Sequence, residues 1–152
     1  MSSGGPAEPP DGGSDSTTYL QQRLAGVLAE ILSVTVESDG AVTVRHDGTF
    51  ASLRVVSISE GLDLVALTQI LAWDLPLDAK IRAKVAEHAY NTLLGTVSLV
   101  AKGGAVKGNS KKTADVLLRY NFPAGGLTDE ALRTLIVMVL STGADVRRAL
   151  VG

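Results

Sequence analysis

The spacing of apolar residues changes abruptly along this chain, and that change constrains the fold more than any other feature. Within residues 20–31, apolar side chains recur every three or four positions, as they do on one face of a helix. The period then falls to two in residues 34–36 and 42–44, which is typical of strands. Asp39-Gly40 and Asp47-Gly48 supply tight hairpin turns. The sequence therefore predicts a helix followed by a three-stranded antiparallel meander.

The middle of the chain contains two further helix signals. Residues 62–73 are apolar nearly all round if they are helical, and Pro76 would end that segment. A second helical stretch begins at Asp78. The apolar stripe predicted for this second helix consists of Ile81, Val85, Ala89 and Leu93.

The last third of the chain contains two strand candidates and a long helix. The strand candidates, TVSLVA and ADVLLRYNF, are joined by a segment rich in glycine and lysine. A helix then follows over residues 127–150, with Thr128 as its cap. The resulting order, α-βββ-α(α)-ββ-α, predicts an α+β fold. In this fold helices pack on a mostly antiparallel sheet of about five strands.

Composition limits the domain organisation and the available chemistry. A chain of 152 residues that is 45% hydrophobic can bury one continuous core. We predict one domain over residues 17–152, with its first helix capped by Ser16 or Thr17. The preceding residues 1–16 are predicted to be a disordered tail, because glycine, proline, serine and acidic side chains offer little to bury. The absence of cysteine excludes disulfides, thiolate nucleophiles and cysteine-based zinc sites.

Charge and hydropathy bear on partners and location. The net charge of −2 gives no overall attraction to nucleic acid or anionic lipid. The amino terminus lacks the features of an export signal, and no apolar run approaches the ~20 residues of a membrane span. We expect a cytoplasmic protein that does not contact membranes.

Two segments carry a resemblance to a known family. They are HAYNTLLGTVSLVAK and ADVLLRYNFPAGGLTDEALRTLIVMVL, in which Gly-Leu-Thr leads into the last helix. With the order of elements, they make residues 18–150 similar to the YbjN-like family of bacterial proteins. The resemblance implies a fold like that of type III secretion chaperones, often dimeric, that holds protein segments. It implies no catalytic residues and no cofactor.

Candidate catalytic groups have simpler structural explanations. His46 and His88 lie in different predicted elements, and neither belongs to a metal-binding pair. Asp63 with Asp74, and Asp129 with Glu130, are the nearest paired carboxylates. The second pair suits the first turn of the last helix, where negative charge is favoured. No hydrolase elbow, phosphate loop or dinucleotide fingerprint occurs. We predict no catalytic, cofactor-binding or metal-binding residue.

Excess apolar surface is the more informative feature. A helix on a sheet buries a stripe of about 100°, whereas residues 62–73 and 135–140 would be apolar all round as helices. Their remaining surface could pack inside one chain, form a homodimer interface or hold a client protein. Trp73 is the leading candidate, because tryptophan is enriched at binding hot spots. The candidate interface consists of Leu62, Leu67, Leu71, Trp73, Leu135, Val137, Met138 and Leu140.

The predicted function is a non-catalytic protein-binding module, a chaperone, adaptor or regulator that forms a homodimer and binds an unknown client. The first alternative is nucleic-acid binding through the basic segment of residues 102–119, in which Lys107, Lys111 and Lys112 are candidate anion contacts. The second alternative is an enzyme of a kind that the motifs do not identify.

Overall fold

One antiparallel sheet organises the chain. The computed structural model describes residues 12–103 and 112–151. The strands are β1 (Val34–Val36), β2 (Val42–His46), β3 (Thr49–Ser59), β4 (Leu62–Pro76), β5 (Thr96–Lys102) and β6 (Thr113–Pro123). The helices are α1 (Gly12–Ala29), α2 (Ala79–Asn91) and α3 (Asp129–Val151). The six strands lie in the order β1-β2-β3-β4-β6-β5, and every neighbouring pair is antiparallel. The predicted α+β class with helices packed on an antiparallel sheet is confirmed.

All three helices pack on the same face of this sheet. Helices α1 and α3 contact β3 and β4, and α2 contacts β5. Alternate strand residues such as Leu53, Val65 and Leu118 point into the core beneath the helices and are completely buried. The opposite face carries no helix of the described residues. This helix-free face comprises the side chains that alternate with the core residues.

The predicted meander is confirmed as β1, β2 and β3. In the second hairpin, Asp47 and Gly48 both have positive φ angles, 44° and 81°, as a two-residue turn between twisted strands requires. In the first turn Gly40 has a φ of 90°. The register then places Val44 opposite Ala51, and both are buried in the core.

The helix predicted over residues 62–73 is wrong, because this segment forms most of the 15-residue strand β4. Strand β4 lies between β3 and β6, so both of its edges are paired. Its two faces are both apolar: Val65 and Leu67 point into the core, while Leu64 and Ile70 lie half-buried on the helix-free face. A strand with two apolar faces gives the same apolar run as a helix buried on all sides.

Helix boundaries depart from prediction where side chains have other partners. Helix α1 begins at Gly12, and Ser16 Oγ donates to Asp63 Oδ2 at 2.7 Å. The rest of the predicted tail, residues 1–11, lies outside the described residues. The cap of α3 is confirmed, since the Ala131 N–H donates to Thr128 Oγ1 at 3.0 Å.

Helix α2 begins as predicted and ends early. Asp78 caps it by accepting the Ile81 N–H at 2.9 Å. Thr92 donates both its hydroxyl and its N–H to the His88 carbonyl, but its backbone is extended, with φ −78° and ψ 124°, so the helix stops at Asn91. Leu93 therefore leaves the predicted stripe and is 88% exposed. None of the helices in the described segments combines the length and the apolar character that crossing a bilayer requires.

Candidate protein-binding surfaces

The helix-free face arranges its side chains in rows that cross the strands. The register aligns one row in the order Arg45, Phe50, Ile70, Leu117 and Ser98, from β2 to β5. We call its three central members, Phe50, Ile70 and Leu117, the apolar row. Each of them is half-buried although no described helix covers it. Three adjacent apolar side chains across the centre of a sheet face that no described helix covers form a surface suited to a partner.

Polar side chains border the apolar row. The next row consists of Thr43, Ser52, Thr68, Arg119 and Thr96. Beyond it Arg54 aligns with Ala66 and Asn121. Hydroxyl groups thus separate the apolar row from the outer part of the face, so the row has a polar border on this side. This arrangement resembles the core and rim of a protein–protein interface.

Trp73 lies beside the apolar row because β4 is irregular there. The register of β4 against β6 shifts at this point, and Asp74 has a φ of 54°, an uncommon conformation for a residue other than glycine. The local bulge leaves the Trp73 side chain 48% exposed. It lines one shallow groove with Arg45 and Phe50.

An ion-pair cluster closes the same bulge. The Asp74 N–H donates to Asp115 Oδ1 at 3.0 Å, and Lys102 Nζ lies 2.8 Å from Asp74 Oδ1 and 3.0 Å from Asp115 Oδ1. Hydrogen bonds to Asp74 and then to Asp115 raise the pKa of Lys102 above its ordinary value. The Lys102 charge is therefore committed to two carboxylates of its own chain.

Charges on the helix-free face are balanced. The basic side chains on it are Arg45, Arg54, Arg119 and Lys102, and the carboxylates on it or at its edge are Glu37, Asp39, Asp74 and Asp115. Arg54 Nη2 lies 2.9 Å from Asp39 Oδ2. A backbone hydrogen bond from Ala41, followed by the bond from Arg54, lowers the pKa of Asp39. Among residues 12–103 and 112–151, this face has no basic excess of the kind that phosphate polymers require.

The edge of the sheet formed by β5 is a second exposed surface. Strand β5 is the last strand and pairs only with β6, so its outer backbone groups have no strand partner among residues 12–103 and 112–151. Tyr90 and Leu93, at the end of α2 and in the connection to β5, are 89% and 88% exposed. Val100 of β5 itself is 45% exposed. Unpaired backbone and apolar side chains thus occur together at this edge.

The structure separates the predicted interface residues. Three are fully buried in the core of one chain, and for these an interface role is wrong: Leu67, Leu71 and Leu140. Leu67 and Leu71 point into the core from β4, and Leu140 points into it from α3. Exposed members are Leu62, Trp73 and Met138, and half-buried members are Leu135 and Val137. Trp73 lies on the helix-free face, whereas Met138 lies on α3, so they do not form one site.

Sequence reasoning missed most of the helix-free face. The residues that it did not select are Arg45, Phe50, Ile70 and Leu117. The available signal was the two-residue period of β3 and β6, in which every second side chain must lie opposite the core. That signal identifies a continuous face across the centre of the sheet only if residues 62–73 form a strand, whereas the sequence predicts a helix there.

The candidate catalytic groups are not brought together. His46 ends β2 with its Nε2 3.7 Å from Asp47 Oδ2. His88 lies on α2, which packs on β5 at the other edge of the sheet. Asp63 and Asp74 occupy opposite ends of β4. Within the described residues no group of three or more histidine and acidic side chains could hold a metal ion.

The basic segment is described only in part. Lys112 is exposed, and its carbonyl accepts the Leu77 N–H at 3.2 Å. Lys107 and Lys111 lie outside the described residues, so the predicted anion contact stays a prediction.

A scan against protein-family models, a search of curated proteins and a search of solved structures each give no significant match to this chain.

Proposed function

We propose that this protein is a non-catalytic protein-binding module, a chaperone, adaptor or regulator of the cytoplasm, and that it binds its client on the helix-free face. One observation carries the proposal: the apolar row and Trp73 lie together on a sheet face that no described helix covers. Exposed apolar surface rimmed by polar groups is typical of sites where proteins associate. Trp73 and Arg45 belong to residue types that dominate binding energy at such sites.

Nucleic-acid binding is less well supported. Lys102 is held by Asp74 and Asp115, and these carboxylates would repel a phosphate backbone. Salt separates the two functions, because affinity for nucleic acid falls steeply as salt rises through counterion release. Binding dominated by apolar contact should change little between about 50 and 200 mM salt, a range over which nucleic-acid affinity falls steeply.

The double variant Phe50→Thr with Ile70→Thr tests the client surface. Threonine keeps the preference for strands, and the variant removes two of the three members of the apolar row, so the sheet should persist while client binding weakens by about tenfold or more. The measurement is quantitative mass spectrometry of proteins cross-linked to the purified protein in a native lysate treated with nucleases. Met138→Gln, at an exposed position of α3, is the control and should keep the wild-type set of captured proteins. If the double variant captures the same proteins in the same amounts as the wild type, the helix-free face is not the client site.

A further inference from the structure

We infer that β5 pairs with β5 of a second copy of this chain, antiparallel and about a two-fold axis at Leu99, so that two sheets join edge to edge. Edge strands that remain monomeric are usually protected by charged side chains, proline, a bulge or a covering element. Strand β5 has seven residues, TVSLVAK, with a regular register against β6 and one charged residue at its end. Before Lys102 it has none of these protections from the part of the chain that the structure describes.

The sequence of β5 is compatible with itself in this register. An axis at Leu99 pairs all seven residues, with Leu99 opposite its own counterpart and Val97 opposite Ala101. These apolar side chains lie on the helix side of the sheet. On the other side Ser98 falls opposite Val100, and Thr96 falls opposite Lys102. The single charged residue therefore never meets its own copy, so no like charges face each other across the new ladder.

Side chains beside the strand supply the apolar area that a backbone ladder lacks. Tyr90 and Leu93 are the two most exposed large apolar side chains in the described segments, at 89% and 88%. Both flank the start of β5, in the helix α2 that packs on it and in the following turn. The two-fold axis places Tyr90 and Leu93 of each copy at one end of the new ladder, beside the end of the other copy's β5, so this contact occurs twice. A second copy thus fits this edge better than a lone extended peptide, which would cover the ladder and leave Tyr90 and Leu93 in water.

A cysteine scan tests the register directly, because the chain contains no cysteine. Directly opposed residues have Cβ atoms about 4.5–5.5 Å apart, near the disulfide range. Under mild oxidation of dilute protein, Leu99→Cys should give a covalent dimer on a non-reducing denaturing gel. Ala101→Cys is the control on the same face of the sheet. The strand spacing and the rise per residue place the two copies of position 101 about 14 Å apart, so this variant should stay monomeric on the gel.

The mass in solution by light scattering tests the interface independently. The unmodified protein should have twice the chain mass, and the double variant Tyr90→Asp with Leu93→Asp should dissociate at least about tenfold more readily. Because both side chains are almost fully exposed in one chain, the variant should keep its circular dichroism spectrum and unfolding midpoint. A monomeric mass for the unmodified protein overturns the inference. So does equal cross-linking at positions 99 and 101, or a dimer that the double variant leaves intact.

Discussion

Gly143→Ala is expected to lower the free energy of unfolding by about 3–5 kcal/mol. The estimate combines overpacking of a filled core with damage to a buried amide and its hydrogen bonds. The measurement is urea denaturation followed by circular dichroism, with wild type and variant compared by their midpoints at the same slope.

The reason lies in Gln69, a fully buried polar side chain at the centre of β4. Its Nε2 donates to Thr49 Oγ1 at 2.8 Å and to the Leu140 carbonyl at 3.0 Å. Thr49 Oγ1 in turn donates to the His46 carbonyl at 2.6 Å. A Cβ at Gly143 would lie 2.7 Å from Gln69 Nε2 and nearer still to Oε1. The amide cannot move aside without breaking both of its hydrogen bonds inside the core.

A matched control exists in the first helix. Gly26 lies within α1, is exposed, and has nothing within 4 Å of where a Cβ would stand. Gly26→Ala should stabilise the protein by about 0.5–1 kcal/mol, because alanine favours helix over glycine. If Gly143→Ala and Gly26→Ala shift the midpoint in the same direction by the same amount, the Gln69 contact does not restrain α3. Adding Gln69→Ser to Gly143→Ala should recover part of the loss, with a coupling of about 1 kcal/mol or more.

Local signals in the sequence predicted the outer parts of the fold correctly. The Asp47-Gly48 turn requires two positive φ angles, and the Thr128 cap requires a free N–H three residues later, so both can be recognised without long-range information. The helix signals of α1 and α3 have the same local character. These local features predict the meander and the last helix without reference to long-range contacts.

The centre of the sheet could not be predicted in this way. Whether residues 62–73 form a helix or a strand depends on β3 and β6 pairing with both of its edges, which is a long-range property. The strand also contains Gln69, whose burial is stable only because Gly143 leaves room for the amide. The sequence around a polar residue in an apolar run does not reveal which distant glycine makes room for it. The helix-free face was missed for the same reason, since it exists only once β4 is a strand.

The bulge that exposes Trp73 is held from the far side of the sheet by α3. Arg147 Nη1 donates to the carbonyl of Leu71 at 2.8 Å, where the register of β4 against β6 shifts. The guanidinium passes over the Asp47-Gly48 turn, and a Cβ at Gly48 would lie 2.8 Å from Arg147 Nε. The glycine is thus required twice, for its positive φ and for the passage of the arginine. This contact links the end of α3 to the conformation of the helix-free face.

Arg147→Met should therefore both weaken the fold and disturb the helix-free face around Trp73. The methionine keeps the apolar stem but leaves the Leu71 carbonyl without its charged donor, which costs about 1.5–3 kcal/mol. Arg148→Met is the control: Arg148 is exposed and pairs with Asp145, and such surface pairs contribute about 0–1 kcal/mol. Trp73 is the one tryptophan of the chain, so its fluorescence reports the bulge directly. Its emission maximum should shift in Arg147→Met and stay unchanged in Arg148→Met, and equal spectra and midpoints for the two variants would show that the bulge holds its shape without α3.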